Sequence, residues 1–140
     1  MAQSGIQETT GYLPVQRMTY EVFNAFCGGL IATSHVVQWG NAQVWKVDGK
    51  VFAIGGWEKD DEPAFTFKVS DHNFDVLQDQ PGFRPAPYMA ARGMKWIQQY
   101  HCQDELEDQL RYYIEQSHRL VALGLSKKRR AAIGLDHLCA

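Results

Sequence analysis

The sequence predicts an α+β fold of two layers, an antiparallel sheet of about five strands with helices on one face. Three observations carry this reading. Residues 43–57 form two apolar runs joined by Asp48-Gly49, and Asp-Gly is a strong hairpin signal because a type I′ turn needs positive φ at both central positions. Residues 64–69 alternate, with Phe65, Phe67 and Val69 on one face and Thr66 and Lys68 on the other. Residues 104–124 carry an apolar stripe at helical spacing through Leu106, Leu110, Tyr113, Ile114, Ser117 and Val121. Short links between successive strands favour antiparallel pairing, with helices packed on one side.

Taken in order, residues 1–17 lack periodicity and are broken by Pro14, so they read as a flexible extension. Thr19 is placed to cap a helix, with Glu21 in the first turn where the helix dipole favours an acid. Val22, Phe23, Phe26 and Leu30 form its stripe, and Gly28-Gly29 ends it. Residues 35–39 are a strand, turned by Gly40-Asn41 into the hairpin. The turn sets Val47 opposite Lys50, Lys46 opposite Val51, Trp45 opposite Phe52, Val44 opposite Ala53 and Gln43 opposite Ile54. One face is then bulky, with Trp45, Val47, Phe52 and Ile54, and the other carries small residues and Lys46.

Residues 58–63 form an acidic loop, and Ser70 caps a short helix bearing Phe74 and Leu77. Pro81, Pro85 and Pro87 remove backbone donors, so residues 80–93 read as loop, followed by a fifth strand at 95–100. Asp104 and Glu107 have capping-box spacing at the head of the long helix, which Gly124 ends. Residues 126–133 form a basic terminal turn. The order is α-β-β-β-β-α-β-α.

A chain of 140 residues with 45% apolar and 12% aromatic content is expected to form one globular domain. No apolar run approaches the roughly 20 residues of a membrane helix, and the N-terminus lacks a secretory layout. A soluble cytoplasmic protein without a membrane partner is therefore expected. Cys27, Cys102 and Cys139 are odd in number and form no CxxC pair, which fits free thiols. Net charge is −2. Residues 126–140 hold Lys127, Lys128, Arg129 and Arg130 against Asp136, a net +3, which leaves −5 for the remainder. Residues 80–103 contain Arg84, Arg92 and Lys95 and no acid.

No catalytic constellation emerges. His101 and Cys102 are strand neighbours that point to opposite faces, and Ser117 and His118 diverge on a helix. Asp60-Asp61-Glu62 lacks the ligand spacing of a calcium loop, and Gly55-Gly56 belongs to no phosphate-binding motif. Nucleic-acid binding has the best physical case, because phosphate contact needs cations on a shared surface and base contact adds aromatics. The candidate contacts are Lys46, Lys68, Arg84, Arg92, Lys95 and Trp96. The plainer alternative has Trp96, Tyr88 and the prolines packing the loop while the cations are solvated.

His35-Val-Val-Gln-Trp-Gly40, the 44–47 and 51–53 hairpin strands, Phe67-Lys68-Val69-Ser70 and Pro81-Gly82-Phe83-Arg84-Pro85-Ala86-Pro87-Tyr88 carry a resemblance. With Lys95-Trp96 and the 117–128 stretch, they resemble the MmcQ/YjbR family of small bacterial proteins over residues 18–133. The resemblance implies a frataxin-like or secretion-chaperone-like α+β domain with "double wing" character, and a predicted DNA-binding role across the open sheet face. Residues 134–140 are then a C-terminal tail. Frataxin likeness suggests iron binding through an acidic first helix, but residues 19–30 offer only Glu21, so no metal or other cofactor is expected. DNA is the first partner class expected. A protein partner is the second, held by a chaperone-like module through Trp39, Trp57 and the 81–88 prolines. No enzyme is expected, and oligomeric state is left open.

Overall fold

A computed structural model describes residues 18–100 and 107–138. Helix α1 (Tyr20–Gly28) leads into strands β1 (Thr33–Gln38), β2 (Ala42–Val47), β3 (Lys50–Gly55) and β4 (Phe65–Lys68). Helix α2 (Asp71–Leu77), β5 (Phe83–Pro85), a 3₁₀ turn (Ala90–Arg92), β6 (Trp96–Gln99), α3 (Glu107–Leu123) and α4 (Lys127–Ala132) follow. The described strands form one open antiparallel sheet in the order β1-β2-β3-β4-β6-β5. The fold class is the α+β arrangement that the sequence predicts, with six strands in place of the expected five. The added strand is β5, inside the proline-rich segment expected as loop, pairing Phe83 with Gln99 and Pro85 with Ile97. Proline suits this place because β5 is an edge strand, where a ladder donor can be missing.

The helices cover one face. Thr19 Oγ1 accepts from the Val22 N–H and starts α1. Thr33 Oγ1 donates to the Cys27 and Leu30 carbonyls at its far end. Phe23 and Cys27 are buried against the sheet, and burial pushes the Cys27 thiol pKa up. Ser70 Oγ caps α2 through the Asn73 N–H, and Leu77 is buried. Along α3, Leu110, Ile114, Ser117 and Val121 are buried, and the Tyr113 ring lies parallel to Phe67 at 5.5 Å. Asp104 and Leu106, expected in this helix, lie outside the described residues, as do residues 1–17, His101, Cys102 and Cys139. Packing continues past α4, since Leu135 is buried in the same core.

The hairpin turn has positive φ at both Asp48 and Gly49, as a type I′ turn requires. Val47 pairs with Lys50 and Lys46 with Val51, as expected. Beyond them the register departs from expectation: Trp45 pairs with Ala53, Val44 with Ile54 and Gln43 with Gly55. Phe52 is the extra residue of a β-bulge, so Phe52 and Ala53 together face Trp45. The expected pairings of Trp45 with Phe52, Val44 with Ala53 and Gln43 with Ile54 are therefore corrected. Ala53 joins the main core, and Ile54 crosses to the opposite face beside Ala42 and Val44.

The bulge also ends the β3–β4 ladder at Ala53 and Phe67. Phe52 and Lys68 would be the next pair in register, and Ser117 stands between them. Its hydroxyl accepts from the Lys68 N–H at 2.8 Å and donates to the Phe52 carbonyl at 2.6 Å. A helix side chain thus replaces a missing ladder bond.

Next to Ser117 on α3, His118 is buried edge-on to the Phe52 ring, and its Nε2–H donates to the Ile31 carbonyl at 2.8 Å. Burial lowers its pKa below the usual 6.5, partly offset by that hydrogen bond and by Glu115. The unfolded chain therefore takes up a proton near that pH that the folded chain resists. The stability this group contributes is present above about pH 6.5 and is lost as pH falls below it. Denaturant midpoints should decline between about pH 7 and about pH 5, and His118→Gln should flatten that slope. An unchanged slope in the variant would place the effect elsewhere.

Candidate nucleic-acid interface

The face opposite the helices is lined by Val36, Val44, Val51 and Ile54 from the first three strands. At one end of it stand Lys46 on β2 and Lys68 on β4, both half-buried. They share this face because Lys46 lies opposite Val51 and Lys68 alternates with Thr66, the partner of Ile54. Among the described residues, neither lysine makes an ion pair. At the other end, residues 86–94 fold back over the sheet and bring Met89 against the Ala42–Val44–Ile54 cluster.

Beside Met89 lies a cavity of about 530 Å³ lined by Trp39, Trp57, Tyr88, Met89, Arg92 and Met94. Three separate connections supply its rings: the β1–β2 turn, the end of β3 and the segment after β5. The Trp39 and Trp57 rings are 6.0 Å apart at 32°, and Tyr88 meets Trp57 edge-on at 5.2 Å. Trp57 is braced from below, where Gln98 Nε2 donates to its carbonyl at 2.8 Å. Arg84 adds a longer bond to the same carbonyl, and its Nε donates to Gln98 Oε1 at 2.6 Å. All three aromatic residues have left-handed backbone, with φ of 54° at Trp39, 57° at Trp57 and 69° at Tyr88. That region costs a bulky residue roughly 1–3 kcal/mol.

The six candidate contacts separate into distinct roles. Lys46 and Lys68 stand together on the open face. Arg92 is exposed on the rim of the cavity. Arg84 is on the same face but is committed to Gln98 and Trp57. Trp96 is opposite Lys68 and only 5% exposed, so it packs rather than presenting a stacking surface. Lys95 points the other way, with its ammonium 4.7 Å from the centre of the Phe74 ring on α2. The expectation that Lys95 joins the open face is therefore corrected; strand alternation turns it away once Trp96 faces the loop.

The basic terminal run is partly structural. Arg129 makes a bidentate pair with Asp48, both contacts at 2.7 Å, which lowers the Asp48 pKa and raises that of Arg129. Arg130 donates to the Leu123 and Leu125 carbonyls and so satisfies the end of α3. Among the described residues, no group of three or more His, Cys, Asp or Glu could hold a metal ion. No described helix is long and apolar enough to cross a membrane.

Sequence reasoning does not single out Met89 and Met94, and it reads Trp39 and Trp57 as core packing or as contacts for a protein partner. Their signal lies in the pairs Trp39-Gly40 and Gly56-Trp57, because glycine beside a large aromatic marks a turn where the ring is directed by the backbone.

Among solved structures, the chain is similar to the Deinococcus radiodurans protein DR2400, which carries the DUF419 domain. The TM-score is 0.71 at 20% identity, over 89% of this chain and 93% of that one. At that identity the likeness establishes a shared fold. No curated protein matches. The YjbR family model matches residues 29–120, from the end of α1 to within α3, which is about two-thirds of the sequence. This span holds the whole sheet, the bulge, Ser117 and the rings of the cavity, and the chain belongs to the YjbR family.

Proposed function

We propose that the protein is a non-catalytic, cytoplasmic nucleic-acid-binding domain that meets its ligand on the open face of the sheet. The observation that carries this reading is the pair Lys46 and Lys68, on a face no described helix covers and without ion-pair partners among the described residues. Arg92 adds a cation on the same side. Each lysine on this face would displace a condensed counterion from the phosphate backbone, and that release drives salt-dependent association.

The test is fluorescence anisotropy with labelled single-stranded and duplex DNA over a range of salt. Affinity should fall steeply with salt. Lys46→Ala/Lys68→Ala should weaken binding about tenfold and reduce the log–log salt slope by about two, because each lysine neutralises one phosphate. Absence of binding at low salt, or binding indifferent to both lysines, would overturn the proposal. The apolar lining of the cavity favours a second reading, a chaperone-like module for a protein partner. That reading calls for salt-tolerant association dominated by Trp39 and Tyr88.

A further inference from the structure

The cavity has features that the lysines do not explain. Six non-glycine residues among those described have left-handed backbone, and three of them are its rings. A turn selected for stability alone places glycine or asparagine in such positions, as this chain does at Gly40 and Asn41. Trp57 packs against the Ala42–Val44–Ile54 cluster, but burial does not account for the other two rings, since Trp39 is 50% and Tyr88 71% exposed.

The chemistry of the lining narrows the occupant. Flat aromatic walls favour a flat, polarizable group. Two methionines add an adaptable surface. The charged residue of the lining is Arg92, and no acid lines the cavity, so an anionic ligand is favoured and a cationic one opposed. The volume of about 530 Å³ lies within the roughly 300–1,000 Å³ of small-molecule sites. Lys46 lies four residues along β2 from Ala42, which borders the cavity cluster, a distance of about 13 Å at roughly 3.3 Å per strand residue.

We infer that this cavity takes one unpaired base of a single-stranded nucleic acid, stacked on Trp39 and bounded by Tyr88, with the adjoining phosphate on Arg92. The inference rests on the nucleic-acid reading and deepens it, because it makes the ligand single-stranded. The strand would continue across the open face toward Lys46 and Lys68.

The experiment compares a fluorescein-labelled oligothymidylate of about ten nucleotides, within the usual site size of such proteins, with a duplex of equal length. It uses the full chain, Trp39→Gly/Tyr88→Gly, Arg92→Gln and Lys46→Ala/Lys68→Ala. The full chain should prefer the single strand, and its tryptophan fluorescence should be quenched on binding. Trp39→Gly/Tyr88→Gly should weaken single-strand binding at least tenfold, as expected when a stacking platform is removed, while its thermal midpoint stays level or rises because glycine suits left-handed backbone. Should that variant unfold, Arg92→Gln decides the matter: a several-fold loss for the single strand with a salt slope lower by about one supports the inference, and unchanged binding overturns it. Single-strand binding that survives in Trp39→Gly/Tyr88→Gly but collapses in the double lysine variant overturns the base site while the nucleic-acid reading stands. Failure of the full chain to bind either probe overturns both.

Discussion

Replacing Ser117 with alanine is expected to lower folding stability by about 3 kcal/mol. The hydroxyl satisfies two backbone groups at once, the Lys68 N–H and the Phe52 carbonyl. Its removal leaves both without a partner beneath α3, and each orphaned group costs roughly 1–3 kcal/mol. For a chain of this size that corresponds to about 10 °C in melting temperature. Chemical denaturation followed by circular dichroism would measure it. Ser117→Thr keeps the hydroxyl and should recover much of the stability. An alanine variant within about 0.5 kcal/mol of the parent would mean that β3 and β4 close their own ladder, and that the bridge is dispensable.

Gly55→Ala should cost about 2 kcal/mol for a steric reason. A Cβ there would lie 2.9 Å from Phe23 Cε2, and 3.0 Å from both Phe23 Cδ2 and Tyr20 Cδ1. Neither ring can withdraw. Phe23 is fully buried against Phe65. The Tyr20 hydroxyl is tied to Glu58 and to the Ala64 N–H. Overpacking of this kind costs roughly 1–3 kcal/mol, offset by about 0.4–1 kcal/mol from the stiffer unfolded chain. The role of this glycine is to let α1 approach β3. The positive φ belongs to its neighbour Gly56, at 149°. A stability gain in Gly55→Ala would show that α1 can move away from the sheet.

The contrast between these residues explains what is legible in the chain and what is not. Asp48-Gly49 announces its hairpin because the turn is local chemistry, and the two pairs next to it are legible for the same reason. The bulge is not legible, because Val51-Phe52-Ala53-Ile54 is apolar at every position and alternation then carries no phase information. Ser117 does leave a trace, as a polar residue on the buried stripe of a helix. What it binds is set by strand residues 49 and 65 positions upstream, Lys68 and Phe52. Strand β5 is hidden by its prolines, whose exclusion from sheets lapses at an edge. In the candidate site, strand alternation places Lys46 and Lys68, while Lys95 and Trp96 depend on which face the 86–94 segment covers. The cavity gathers rings from three connections, and no spacing rule links residues 39, 57 and 88.

The strand order has a consequence for how the chain is made. Strands β1 to β4 each pair with the next in sequence, so the loops they close are short and lose little chain entropy. This four-stranded portion can assemble once residue 68 has left the ribosome. Ser117 follows 49 residues later, which at about 5–20 residues per second is roughly 2–10 s of synthesis. For that interval Phe52 and Phe67, whose partners His118 and Tyr113 lie on α3, face the cell without α3 above them. The nascent chain therefore presents to chaperones a surface that the finished molecule never shows.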